Sequence, residues 1–263
     1  MHLLLALLLI LPLPAAAWEP DGMEVDVELV LAVDVSRSVS PGEMEIQRRG
    51  YAEAITSHEV MTAVRAGLLG RIAVTYLEWS GAHSQRTIVD WTLIESEADA
   101  RAFAATLTSG LDGAMRRTSI SGALMAAAEA FEDNGYSGLR QVIDISGDGP
   151  NNQGRPVHLA RDSVLSRGIV INGLPLMTRE GMGGNWHLDD LDMYYRDCVI
   201  GGPGAFVIPV TSWDQFASAV RRKLVLELVG RMPEGPVPVQ GRQPYDCLIG
   251  EKIWERNRVW GMP

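Results

Sequence analysis

The chain has 263 residues, with 33 acidic and 23 basic side chains and a formal net charge of −10. An acidic surface of this kind repels nucleic acid and anionic lipid, so we expect neither as a partner and favour a protein or cationic partner instead. The length suits one α/β domain followed by a tail.

Residues 1–17 predict export from the cell. They contain no Asp, Glu, Lys or Arg, and a Leu-rich core over 3–11 leads into Pro14 and the alanines up to Ala17. We expect a signal peptide cleaved after Ala17, because the apolar stretch is short for a membrane span. An uncleaved anchor is the alternative. After cleavage we expect a periplasmic or secreted bacterial protein without membrane insertion.

Apolar runs and helical patterns alternate along the rest of the chain, and their order predicts the fold. The predicted strands cover 27–34, 71–79, 86–93, 140–145, 169–174 and 205–210. The predicted helices, with their caps, cover about 40–58, 96–108, 121–132, 156–167, 188–199 and 212–229. This alternation indicates one doubly wound, Rossmann-like α/β sheet, mostly parallel, with helices on both faces. Strand 86–93 follows its predecessor too closely for a crossover helix, so we expect it to be antiparallel and at an edge.

Local signals define where helices begin and where the domain ends. Ser40 with Glu43, and Ser212 with Gln215, have the spacing of capping boxes. From 232 onward Pro and Gly dominate, so we predict a domain over 18–230 and a Pro-rich tail over 231–263. The sequence does not fix the oligomeric state.

The two cysteines, Cys198 and Cys247, are predicted to form a disulfide. In an exported protein an even pair is more often bridged than free, and this bridge would tie the tail to the domain. The alternative is a pair of buried thiols.

Polar residues at the ends of predicted strands indicate one divided metal site. Asp34, Ser36 and Ser38 follow the first strand, Asp148 follows the apolar run 142–145, and Thr118 lies in a loop at a helix entrance. Ligands of an open doubly wound sheet collect beyond the carboxyl ends of its strands, where the strand order reverses. Two carboxylates and three hydroxyls suit a hard cation, for which we predict Mg²⁺, with Mn²⁺ or Ca²⁺ also possible.

A simpler interpretation of these residues stays open. Asp34 and the two serines also have the residue types that cap a turn and a helix. Asp144, inside an apolar strand, is either a hydrogen-bonded core group or an acceptor that supports a metal ligand.

The motif resembles the metal-ion-dependent adhesion site of von Willebrand factor A-type domains, which is assembled from D-x-S-x-S, a distant Thr and a distant Asp. The first element matches Asp34, Ser36 and Ser38, and the other two are similar to Thr118 and Asp148.

Elsewhere the resemblance is mixed. Ile120 and Ser121 depart from the family's T-x-T-G-x-A-L segment, and Gly147 stands where the family usually has Thr. Tyr194-Tyr195, with the glycine-rich stretch after it, is similar to an uncharacterised bacterial branch of secreted A-type domains.

The resemblance implies an exported, non-catalytic protein-binding module. In this mechanism the cation keeps an exchangeable position, which accepts an Asp or Glu of a protein partner. Trp79, at the end of the second strand, and Trp186, in the loop after the fifth, are candidates for the partner-binding rim.

Two alternatives remain at this point. A metal-dependent hydrolase that used Asp34 as its nucleophile would need an acid two residues later, where the chain has Ser36. No G-x-S-x-G elbow occurs, and the histidines lack metal-ligand spacing. The other alternative is a structural envelope protein whose metal site is vestigial.

Overall fold

The computed structural model describes residues 22–110, 116–178, 188–230 and 245–259. The predicted signal peptide and much of the predicted Pro-rich tail lie outside these residues. In the described ranges, every helix is too short or too polar to cross a bilayer.

The strands of the described residues form a five-stranded sheet and a separate parallel pair. In chain order they are β1 (Met23–Val25), β2 (Val27–Asp34), β3 (Ile72–Trp79), β4 (Gln85–Ile94), β5 (Tyr136–Gly138), β6 (Gln141–Gly147) and β7 (Val170–Pro175). The sheet has the order β4-β3-β2-β6-β7, while β1 pairs with β5. All neighbours in the sheet are parallel except β3 and β4, so the predicted antiparallel edge strand is confirmed.

Helices cover both faces of this sheet. They are α1 (Pro41–Ile55), α2 (His58–Arg65), α3 (Glu97–Thr108), α4 (Ile120–Glu129), α5 (Val157–Leu165), α6 (Leu191–Tyr194), α7 (Phe216–Val229) and α8 (Ile249–Val259). A π-helical turn, Tyr195–Val199, continues α6, and a 3₁₀ turn, Trp213–Gln215, precedes α7. One core cluster joins the sheet to α1, α2, α3 and α7, and a second joins the other face to α4, α5 and the π-helical turn. The predicted Rossmann-like fold is therefore confirmed.

The first predicted helix ends early, and a second helix that was not predicted follows it. The capping box at Ser40 is present, with Glu43 as its partner, but α1 ends at Ile55 rather than near residue 58. Thr56 and Ser57 then donate their hydroxyl protons to carbonyls of the last turn of α1, and Ser57 caps α2. Ser and Thr side chains that bond the backbone in this way compete with a continuous helix.

Two predictions near the end of the domain are wrong. The predicted strand over 205–210 is reduced to isolated bridges at Val207 and Val210. Ile208 and Val210 donate to Gly173 and Pro175, but Pro175 of β7 has no N–H to donate in return to Ile208, which interrupts the ladder. The predicted capping box at Ser212 does not form either. The Ser212 hydroxyl donates to Asp214, and the chain makes a 3₁₀ turn before α7.

The predicted disulfide between Cys198 and Cys247 is present, and it joins positions 49 residues apart. In the chain-entropy model a bridge of this span stabilises the fold by about 4 kcal/mol. It fixes the π-helical turn to the residues just before α8, a helix that the composition of the tail did not predict.

A buried ion cluster lies between the sheet and α7. The Lys223 ammonium is 2.6 Å from Asp144 Oδ1 and 2.5 Å from Glu227 Oε1, and all three side chains are excluded from solvent. Asn172 donates a 3.0 Å hydrogen bond to Glu227. Asp144 is therefore a core polar group paired with Lys223 rather than an acceptor that supports a metal ligand. One ammonium faces two carboxylates here, and burial raises the pKa of Glu227 to about 7 despite the attraction of Lys223.

The raised pKa of Glu227 predicts a pH-dependent stability. The folded protein holds the Glu227 proton more tightly than the unfolded chain does, where the pKa of this side chain has its ordinary value of 4.5. The stabilisation that results is therefore fully present below pH 4.5. It is lost as the pH rises through about 7, which lowers the free energy of unfolding by at most about 3 kcal/mol. In urea titrations from pH 5 to 8, Glu227→Gln should flatten this slope, and exposed Glu53→Gln should leave it intact. Equal slopes in wild type and Glu227→Gln would contradict the assignment.

Candidate metal site

The D-x-S-x-S segment turns back directly after β2. The Ser36 amide donates to Asp34 Oδ1 at 2.7 Å, and the hydroxyls of Ser36 and Ser38 are 3.0 Å apart. From α1, Gln47 donates to the Asp34 carbonyl at 3.2 Å. These bonds hold Asp34 and both serines at the carboxyl end of β2.

The end of β6 brings Asp148 to the same place. β2 and β6 are adjacent parallel strands, with Val33 opposite Ser146. The Ser38 hydroxyl donates to Asp148 Oδ1 at 2.9 Å across 110 residues of sequence. Four of the five predicted site residues are therefore joined by direct contacts.

The oxygen atoms of this group fit a hard divalent cation. Neighbouring ligands in an octahedron around Mg²⁺ are about 3.0 Å apart when the metal–oxygen distance is about 2.1 Å. The two oxygen–oxygen distances through Ser38, 2.9 and 3.0 Å, are those of ordinary hydrogen bonds, and they bring these oxygens as close together as the ligands of one such cation. Asp34 Oδ2 is buried and has no hydrogen-bond partner among the described residues. Its lone pairs therefore remain for a cation.

The electrostatics of the site point the same way. Burial raises the pKa of Asp34 well above its usual value, and the nearby Asp148 carboxylate raises it further. Hydrogen bonds from Ser36, and to a smaller extent from the Asp148 backbone, offset part of this effect. A divalent cation would stabilise both carboxylates in their ionised form. In the described part of the chain no group of three or more His, Cys, Asp or Glu side chains is placed to hold a metal, so a cation beside Asp34 and Asp148 would need the serine and threonine hydroxyls as ligands.

Thr118 reaches the same end of the sheet through its backbone. Its amide donates to Asn152 Oδ1 at 3.1 Å, and its carbonyl accepts from the Asn152 amide at 2.9 Å. The next amide, of Ser119, donates to the carbonyl of Ser80, which directly follows β3. The loop that carries Thr118 is therefore attached both to the loop after Asp148 and to the end of β3. The Thr118 hydroxyl itself takes no part in the hydrogen bonds that join the other four site residues.

Gly147 lies where three side chains converge on the floor of the site. A Cβ atom at this position would be 2.8 Å from Tyr195 Oη, 3.0 Å from Asp34 Oδ2 and 3.2 Å from the ring of Trp79. The crowding explains why this chain has Gly where the A-type family usually has Thr.

Tyr195 is a site residue that the sequence reasoning missed. It is buried in the π-helical turn, and burial followed by the negative charge of Asp34 raises the pKa of its phenol well above the usual value. π-Helical turns often occur at functional sites. The adjacent tyrosines, Tyr194 and Tyr195, were the available signal in the sequence, but they did not indicate contact with the site.

The partner-binding role predicted for Trp79 is wrong. Its side chain is fully buried beneath the site, because β3 is covered on both faces, and it cannot contact a partner. Trp186, the second predicted rim residue, lies outside the described residues.

The crowding at Gly147 predicts a specific loss of stability. Gly147→Ala places a methyl group against Tyr195, Asp34 and Trp79, and overpacking of this kind should lower the free energy of unfolding by about 1–3 kcal/mol. Gly149→Ala is the matched control, since its Cβ would have no neighbour within 4 Å. Urea denaturation of both variants tests this. Equal stabilities for the two variants would contradict the packing described.

Solved structures of similar fold are von Willebrand factor A-type proteins. Proximal thread matrix protein 1 from the mussel byssus, in a structure described as having a zinc-occupied MIDAS motif, has a TM-score of 0.54 at 14% identity, over 80% of this chain and 49% of that one. The pilus adhesin SpaC from Lactobacillus rhamnosus GG has a TM-score of 0.55 at 11% identity, over 78% of this chain and 31% of that one. A von Willebrand factor type A protein from Catenulispora acidiphila has a TM-score of 0.51 at 13% identity, over 79% of this chain and 43% of that one.

The chain thus spans about half or less of the length of these structures, and at such identities the likeness concerns the fold alone. No curated protein matches the chain in sequence. The family described as "Protein of unknown function (DUF1194)" matches residues 24–232, which is most of the chain, and the protein is therefore a member of this family with a von Willebrand factor A-type fold.

Proposed function

We propose that the protein is an exported, non-catalytic binding module that uses a divalent cation to accept an Asp or Glu side chain of a protein partner. The residues that would hold Mg²⁺, or Mn²⁺ or Ca²⁺ in its place, are Asp34, Ser36, Ser38, Thr118 and Asp148. The observation that carries the proposal is the chain of contacts from Ser36 to Ser38 and from Ser38 to Asp148, beside the buried oxygen of Asp34 that has no hydrogen-bond partner among the described residues. When bound, the cation would supply a Lewis-acidic position open to an external carboxylate.

The charges beside the site support an acidic partner. Arg37 lies between the two site serines, and Arg116 and Arg117 directly precede Thr118; all three side chains are exposed. In a chain of net charge −10 they place three positive charges beside the two carboxylates of the site. Complementary charge of this kind accelerates association and selects the partner, even where its contribution to affinity is small.

The similar structures support the proposal only in part. One is described with a metal-occupied MIDAS motif and another as a pilus adhesin, so this fold is compatible with both features. Export is supported by the disulfide, because such bonds persist in oxidising compartments.

The structure adds nothing in favour of a hydrolase. Ser36, at the position where a proton donor would be needed, has its hydroxyl against that of Ser38. That the protein is non-catalytic remains part of the proposal. The alternative of a structural protein with a vestigial metal site is tested by whether the protein binds a divalent cation.

The proposed metal site predicts that Asp34→Asn weakens cation binding without unfolding the protein. Asn keeps the size of the side chain and an acceptor for the Ser36 amide but removes the charge. Titration of Mn²⁺, followed by electron paramagnetic resonance, should show affinity at least about tenfold weaker than in wild type. Asp133→Asn, at an exposed position, should bind as wild type does. A wild type that binds no Mn²⁺ would favour the vestigial site, and equal binding by Asp34→Asn would exclude this ligand.

The proposed partner chemistry predicts a metal-dependent and charge-dependent capture. Immobilised protein should retain a partner from envelope extract in Mg²⁺ but not in chelator, and Arg37→Glu should reduce retention by about fivefold or more, since like charges repel the incoming acid. Exposed Arg101→Glu, on α3, is the control of equal charge change. Retention that is indifferent to both chelator and Arg37→Glu would contradict the proposal.

A further inference from the structure

Helix α8 lies beyond the family match, which ends at residue 232, yet it contacts both loops of the candidate metal site. The chain enters α8 directly after Cys247, whose disulfide to Cys198 fixes it to the π-helical turn that carries Tyr195. The position of α8 is therefore covalently constrained relative to the floor of the site.

The two loops of the site are the loop after β6, which carries Asp148, and the loop before α4, which carries Thr118. Asn151, three residues after Asp148, connects α8 to the first of them. It is fully buried, and its side-chain amide donates to Glu251 Oε1 of α8 at 2.7 Å. Its side-chain carbonyl accepts from the Ser121 amide at 3.0 Å, and its backbone amide donates to Tyr194 Oη at 3.1 Å. One side chain thus joins α8, the loop after β6 and the first turn of α4, which follows Thr118.

The backbone of α8 also approaches this loop directly. A Cβ atom on Gly250 would lie 2.0 Å from the Asn151 carbonyl oxygen, so only glycine allows the helix to approach so closely. This contact and the Glu251 hydrogen bond place the first turn of α8 against the loop that carries Asp148.

The second loop is held by an aromatic contact. The Arg117 guanidinium lies 4.4 Å from the centre of the Trp254 ring, one turn further along α8. Arg117 has a φ of 77°, which is unfavourable for a residue with a side chain and persists only where neighbouring contacts hold it. The next residue is Thr118. The Asn152–Thr118 hydrogen bonds already join the two loops, so α8 contacts a connected unit.

We propose that α8 positions the loops of the metal site, with Glu251 acting through Asn151 and Trp254 through Arg117. Glu251 is a positioning residue and does not contact the cation. The inference rests on the proposed metal-dependent function and extends it to a helix outside the family match.

The test compares Glu251→Ala, which removes the acceptor for Asn151, with Glu251→Gln, which keeps one. Glu255→Ala, at an exposed position one turn later, is the control. In metal-free buffer, hydrogen exchange measured by mass spectrometry should rise about tenfold or more in Glu251→Ala for the segments that contain Ser121 and Asn152, since a charge-assisted hydrogen bond is lost. Mn²⁺ affinity should fall by about tenfold, as when other supporting contacts of metal ligands are removed. Glu251→Gln should recover most of both values.

The outcomes separate this inference from the proposed function. Unchanged exchange in Glu251→Ala, or faster exchange with unchanged Mn²⁺ affinity, overturns the positioning role while the metal site stands. If the wild type binds no Mn²⁺, the metal site is wrong and the positioning role is overturned with it. Circular dichroism establishes that each variant is folded, and Trp254→Ala gives an independent test from the side of Arg117, with the same two measurements and the same criteria.

Discussion

The parallel pairing of β2 with β6 is the constraint on which the site depends. Their register places the end of one strand, Asp34, beside the end of the other, Gly147, so that Asp148 can receive the hydrogen bond from Ser38. A slip of one residue in either strand would exchange its two faces and move the acids away from the serines. The register is strongly determined because both faces of these strands are buried against helices. Packing of the core and geometry of the site are therefore consequences of the same pairing.

Two groups of acids in this sheet differ in how their negative charge is balanced. Inside the fold, Asp144 and Glu227 share the ammonium of Lys223, a cation that the chain itself provides. Asp148 lies four residues further along, in the loop after β6, and the charge that shifts the pKa of Asp34 is that of this second acid rather than of a base. Asp34 is fully buried and Asp148 is half-buried beside it, and an ionised buried carboxylate next to a second acid is costly without a positive charge. This contrast is the physical reason for assigning an external cation to the second group.

Much of the fold follows from local sequence. Strand β2 coincides with its predicted limits because a continuous apolar run buried on both faces has few alternatives, and the caps at Ser40 and Ser96 mark true helix starts. The break at Thr56-Ser57 depended on hydroxyl-to-carbonyl bonds that compete with a helical pattern. Helix α8 escaped prediction because the composition of the surrounding tail obscured a short amphipathic segment.

The site was predictable to the extent that its residues follow the ends of strands. Asp34, Ser36 and Ser38 are local in sequence, and Asp148 ends a recognisable strand. By contrast, Tyr195, Asn151 and Glu251 belong to contacts made across 30 to 100 residues, as between Ser121 and Asn151 or between Asn151 and Glu251. No local pattern specifies such contacts. Trp79 was misassigned for the same reason, since whether a strand-end side chain points outward or down depends on what covers it.

The chemistry of the site also implies a coupling between cation and partner. Two carboxylates and neutral hydroxyls neutralise only the formal charge of a divalent cation, and the hydroxyls already hydrogen-bond one another, so these bonds must be reorganised when a cation binds. Few charged ligands and this reorganisation both favour modest affinity and ready exchange. If the proposed function holds, a partner carboxylate bound to the cation would add a third negative ligand and would therefore strengthen cation binding. By thermodynamic linkage the cation strengthens partner binding by the same factor. A weak intrinsic cation affinity is thus compatible with a strictly metal-dependent adhesion.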